Sequence, residues 1–269
     1  MLSYARPAVR TYSLKWLFIV VPPILVLVLI TVSAELYIRW AEVPTFLVPA
    51  PSAVKDAVIE SRPELLSGLW ITAKAALIGF GASAVLGIVL AAILSSAKIV
   101  RNAFYPYTIF FQTVPVIAIA PLLLIWFGAG LKGVAICAFV VSVFPVIANT
   151  LTGLLSTEPA LSDMFTLYGS GPITKLVKLK LPGAIPNIMT GLRIAAGLSV
   201  IGTIVGEFQA GDFDNPGLGV MIVAFNKQGQ TAQVFAAILV ASLLGLAMLS
   251  VLNAVGYLLL RHWHASVKE

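Results

Sequence analysis

Long apolar runs separated by short polar stretches set the organisation of this chain. Runs of about 20 residues, the length at which a helix crosses the hydrocarbon of a bilayer, fall at 16–34, 68–94, 103–125, 134–154, 184–206 and 234–260. They predict six membrane-spanning helices within an all-α integral membrane protein. The domain reading is a tail at 1–15, a first span at 16–34, a connection at 35–67 and a core at 68–260, with a tail at 261–269. Pro22-Pro23 predicts a kink in the first span. In the connection, Pro49-Ala50-Pro51-Ser52 enters a short interfacial helix carrying Val54, Ala57 and Val58.

The polar interruption at 157–182 has its own periodicity. Leu161, Met164, Phe165 and Tyr168 lie at i, i+3, i+4 and i+7, one apolar stripe on a helix too short to span. Gly169-Ser170-Gly171-Pro172 breaks it, because glycine suits the end of one helix and proline the first turn of the next. Ile173, Leu176 and Val177 then share a face, with Lys175, Lys178 and Lys180 keeping it wet up to an expected stop at Pro182. Two amphipathic helices about a glycine elbow form a docking knob, and such a knob implies a partner.

Composition agrees with a membrane protein and charge gives it an orientation. The 269 residues are 59% hydrophobic and 10% charged, with mean hydropathy +1.01, whereas soluble domains carry about 25% charged residues. With the N-terminus cytoplasmic, the inner side holds Arg6, Arg10, Lys15, Lys98, Arg101, Lys175, Lys178, Lys180, Arg261 and Lys268. The outer side holds Arg39, Lys55, Arg62, Lys132 and Lys227. Ten against five places both termini and the knob in the cytoplasm. These cations flank apolar runs rather than clustering with aromatics, so the net charge of +6 does not point to nucleic acid. The first run exceeds a signal-peptide core and no A-x-A-like site follows it, which favours an uncleaved anchor. The single Cys137 reads as a small core residue.

Inside the spans, stripes of small residues (Gly79, Ser83, Gly87, Ala91, Ser95; Gly202, Gly206; Ala237, Ala241, Gly245) permit close helix packing, within the chain or between subunits. The third run holds Pro106, Pro115 and Pro121 with Gln112, its only amide. Each proline frees a carbonyl, so this run is either a pathway lining or an ordinary kinked helix. Asn149 is a second pathway candidate. Glu207 ends the fifth span before a turn-rich loop that closes with Gly217-Leu218-Gly219; it either faces water or belongs to a gate or docking site. Arg193, fourteen positions earlier and about 21 Å away along the helix, cannot pair with it and reaches the inner surface or a carbonyl.

Several chemistries lack their residues. There is no G-x-x-x-x-G-K-[ST] loop to cradle ATP, no H-E-x-x-H helix, and no Ser/His/Asp set, since both histidines sit in the tail segment His262-Trp263-His264, an interfacial element with no third metal ligand. The chain is therefore expected to carry no catalytic residue, metal or cofactor. A secondary transporter driven by an ion gradient remains the alternative, although no inverted repeat is visible and the spans hold few amides, Gln112 and Asn149 among them.

These stretches resemble the transmembrane permease subunits of bacterial ABC importers of the nitrate, sulfonate, taurine and thiamine-precursor type. The family's cytoplasmic loop carries an acid, two alanines, a glycine and a terminal Leu-Pro. Counted back from Leu181-Pro182, the glycine is Gly169 and the acid Asp163, while Met164 and Phe165 replace the alanines and Leu179 stands where Ile or Val is usual. Gln112-Thr113-Val114-Pro115 through Pro121 to Trp126-Phe127-Gly128, Gly191-Leu192-Arg193 through Glu207 to Gly217-Leu218-Gly219, and Leu47 to Ser52 are similar as well. The resemblance implies a pore of two copies in the bacterial inner membrane, with a dimeric ATPase that holds ATP and Mg docked on Asp163, Met164, Phe165, Tyr168, Gly169, Leu179, Leu181 and Pro182. It implies an extracytoplasmic solute-binding protein on the other side.

Overall fold

The computed structural model describes residues 12–210 and 214–260. Eleven α-helices occur among them: α1 (Tyr12–Trp40), α2 (Pro51–Glu60), α3 (Arg62–Ser96), α4 (Lys98–Gln112), α5 (Val116–Phe127), α6 (Leu131–Leu155), α7 (Pro159–Leu167), α8 (Pro172–Lys175), α9 (Leu181–Ala210), α10 (Leu218–Lys227) and α11 (Thr231–Leu260). A π turn, Leu176–Lys180, joins α8 to α9. α2, α3, α7 and α8 each place a proline in their first two positions, where no N–H is needed and φ is already helical.

Among the described residues five helices are long and apolar enough to span, and α4 with α5, bent by 102° at the break between them, counts as a sixth if the pair is one span. The third expected span is thus two helices rather than one kinked one. Pro106 and Pro121 lie inside α4 and α5, and the break falls at Thr113–Pro115, where Pro115 precedes α5 with extended backbone (φ −69°, ψ 112°). α1 runs through Pro22-Pro23 and on to Trp40, which shortens the expected connection at 35–67 to the turns before α2. Pro182 does not stop the second short helix: α8, the π turn and α9 form one run, Pro172–Gln209.

α6 is the central element, packed on α3 along one side and α9 along the other. Small residues set these distances. A methyl group at Gly79 would lie 2.5 Å from the Cβ of Ala138, one at Gly87 2.8 Å from the Cβ of Val146, and one at Gly202 2.9 Å from the Cα of Ala138. Two of the stripes are therefore intramolecular, and Cys137 is buried against Gly206 as a small core residue. α11 packs on α9, and α2 and α10 cover the first turns of α11 through Ala57, Leu218, Met221, Phe225, Ala236 and Ala237. The opposite end of the bundle holds α7, α8 and a second cluster of Leu94, Leu151, Leu154 and Ala184.

Candidate functional site

Three places carry the residues singled out in the sequence. At the α7 end, α7 and α8 form the knob. The elbow is Gly169 at φ +72°, in the left-handed region that glycine occupies without strain. Ser170 N–H donates to the Phe165 carbonyl at 2.9 Å, closing the end of α7, and Lys175 Nζ donates to Thr166 Oγ1 at 2.5 Å, tying the two short helices together. Asp163 and Met164 are exposed, and Leu179, Leu181 and Pro182 half-buried along the run into α9. Phe165, expected on the docking face, is half-buried within the chain itself. The most exposed apolar side chains flank the elbow instead: Leu167 at 88%, Tyr168 at 83% and Ile173 at 77%. Leu167 falls off the i, i+3, i+4 stripe, so helical periodicity gave no reason to select it.

The broken crossing contributes Gln112 and Pro115, both exposed at the break, with Pro121 exposed further along α5. Phe111 stacks on Phe144 of α6 with ring centroids 5.7 Å apart, which sets the break near the middle of that helix. Breaking the helix leaves the N–H groups of Val116 and Ile117 at the start of α5 outside its ladder. Asn149 lies five positions after Phe144 in α6, donates to the Pro145 carbonyl at 2.8 Å, and packs its Cβ where a side chain at Gly191 would stand.

At the other end, Glu207, Gly217 and Gly219 come together. Glu207 does not face water; it is 4% exposed. Its Oε2 accepts Gly219 N–H at 2.7 Å and its Oε1 accepts the Thr72 hydroxyl at 2.8 Å, while Thr72 Oγ1 accepts Leu218 N–H at 2.9 Å. The first two N–H groups of α10, which have no partner within that helix, are thus capped by side chains from α9 and α3. A carboxylate at a helix N-terminus also meets the positive end of the helix dipole. Gly217 is extended, and its missing Cβ leaves the space filled by the Glu207 carboxylate. A methyl group at Gly219 would lie 2.7 Å from the Glu207 Cβ. Thr72 is the fourth member, and a threonine in an apolar run gives no signal of its own in the sequence. Glu35 of α1 does the same for α2, accepting Ser52 N–H at 3.0 Å and Ser52 Oγ at 2.8 Å.

Arg193 lies on the α11 side of α9, where a methyl group at Gly256 would stand 2.9 Å from its Nη2. Among the described residues its Nε is buried without a hydrogen-bond partner.

Residues 83–269 match the family model of the binding-protein-dependent transport system inner membrane component. The chain belongs to this family. The permease is 33% identical over 225 residues to the formylaminopyrimidine transport permease protein ThiX of Halalkalibacterium halodurans, covering 83% of this chain and 88% of that one. It is 30% identical over 266 residues to the riboflavin transport system permease protein RibX of Chloroflexus aurantiacus, covering 97% and 96%. In fold it is similar to a crystal structure of an amino acid ABC transporter, with TM-score 0.55 and 16% identity over 76% of this chain and 96% of that one. The permease is a multi-pass membrane component of an ABC importer rather than an ion-driven secondary transporter.

Proposed function

We propose that two copies of this permease form the pore of an importer in the bacterial inner membrane, with a dimeric ATPase docked on the knob and a solute-binding protein at the α10 end. The observation that carries this reading is the knob tip. Leu167, Tyr168 and Ile173 project beyond the packed bundle with Lys175 and Lys178 beside them, where a lone subunit gains nothing from exposing them. Asp163, Gly169 and Leu181-Pro182 occupy the spacing of the family's docking loop. ATP and Mg belong to the ATPase, and the ten-to-five excess of Lys and Arg supports a cytoplasmic knob and cytoplasmic termini.

On this reading, closure of the ATPase pair moves the knob and switches the pore. Gln112, Pro115, Pro121 and Asn149 line the path, and the Glu207–Gly217–Gly219 clamp holds the outer gate or the docking face of the binding protein. The cargo is a small nutrient, in keeping with the names of ThiX and RibX, and the uncharged path candidates suit a neutral or zwitterionic heterocycle. Copurification tests the docking. The ATPase encoded with the permease should be retained by the unaltered protein and lost with Leu167→Asp, which places a charge in an apolar contact. Retention by that variant would remove the tip from the interface.

A further inference from the structure

The knob leaves the bundle through two joints, and one of them is built in a form that can change register. We propose that the π turn Leu176–Lys180 is the hinge of the knob, and that the groove between the knob and the end of α3 is the space into which the knob swings. This rests on the reading of the knob as the ATPase-docking element.

Three observations carry it. First, the knob moves as one body, because the Lys175–Thr166 bond braces α8 against α7, and the Ser170–Phe165 bond fixes the elbow onto the end of α7. Second, that body is not packed against its neighbour. A groove of about 330 Å³, lined by Ser95 and Ser96 of α3 and by Ser162, Ser170 and Lys180, separates them. Third, the run into α9 carries one residue too many for an α-helix at this point: Leu181 N–H donates to the Leu176 carbonyl, five residues back rather than four.

A π turn is equivalent to a one-residue insertion. Taking up the extra residue into α register turns everything before it by about 100° and shifts it by about 1.5 Å. Pro182 lowers the cost of that exchange. It has no N–H, so at its position neither register makes a backbone bond that the other lacks. At the α6 side of the knob, Thr157 and Glu158 are non-helical and follow the swing without breaking a helix.

The test uses the assembled transporter, with Ser95→Cys on α3 and Ser162→Cys on α7 in a Cys137→Ala background. Spin labels at the two cysteines should report a distance that shifts by several ångströms between nucleotide-free and ATP-trapped complexes. A reversible bis-methanethiosulfonate link across the groove should reduce ATP-driven uptake to background with the ATPase still bound, and thiol should restore it. An unchanged distance, or normal uptake by the linked protein, overturns the hinge while leaving the docking assignment intact. Failure of the ATPase to copurify with the unlabelled permease overturns the docking assignment, and the hinge with it. If the labelled pair disturbs assembly, Ser96→Cys with Ser170→Cys spans the same groove and is read the same way.

Discussion

The Thr72 hydroxyl donates to the carboxylate of Glu207, 135 positions away, at 2.8 Å to Oε1 and 3.1 Å to Oε2, and through this contact α3 and α9 together cap α10. Thr72 works in both directions, donating to the carboxylate and accepting from Leu218 N–H. Thr72→Val keeps the shape and removes both bonds, so it should destabilise the purified permease by about 1–3 kcal/mol, the cost of stranding a buried polar group. Thr72→Ser should recover most of that. Thermal unfolding in detergent decides; equal stability of the valine and serine variants would show that the hydroxyl carries no weight.

Gly217 and Glu207 should behave as a coupled pair. Gly217→Ala drives a methyl group into the buried carboxylate and should lower the unfolding temperature in the native background. In a Glu207→Ala background the space is free and the same substitution should cost much less. Additive effects in a double-mutant cycle would contradict the packing described here.

The elbow isolates backbone conformation from packing. Among the described residues nothing lies within 4 Å of a methyl group built at Gly169, so its φ of +72° is what opposes substitution. Gly169→Val should insert normally and lose ATP-driven uptake, because a β-branched residue resists that region. Gly169→Asn tolerates it and should transport. Comparable uptake by the two variants would contradict the elbow's role.

Phe165 and Leu167 should separate by assay. Phe165→Ala opens a half-buried contact inside the knob and should lower thermal stability, whereas Leu167→Ala should leave stability unchanged and weaken ATPase binding by about tenfold, as loss of an interface anchor does. The reverse pattern would place the docking face on the α7 stripe.

Gln112→Cys in a Cys137→Ala background should react with small aqueous thiol reagents, at a rate that changes when ATP is trapped on the ATPase. Leu27→Cys on the apolar α1 should stay unreactive. Silence at position 112 in every nucleotide state would remove the break from the pathway.

The sequence exposed those features whose cause is local. Apolar runs of spanning length, the Gly169 elbow and the amphipathic stripe of α7 follow from length, conformational freedom and periodicity, and helices cover each of the six apolar runs, the third as two. What it concealed depends on partners far along the chain. Glu207 at the end of an apolar run has the same appearance whether it faces water or caps α10, and only the return of α10 onto α3 decides. The three prolines of the third run are equivalent in the sequence, yet Pro115 alone breaks the helix; Pro106 and Pro121 lie within α4 and α5. Pro182 reads as a stop, and the extra residue of the π turn lets the helix continue through it. Leu167 lies off the apolar stripe, so its exposure at the tip emerges only from the shape of the knob.

Uptake by sealed vesicles containing the permease, its ATPase and its binding protein tests the central claim most directly. The account predicts accumulation of the binding protein's ligand that requires ATP on the knob side and falls to background with Leu167→Asp. Uptake that persists without the ATPase, or that proceeds undiminished in that variant, would contradict it.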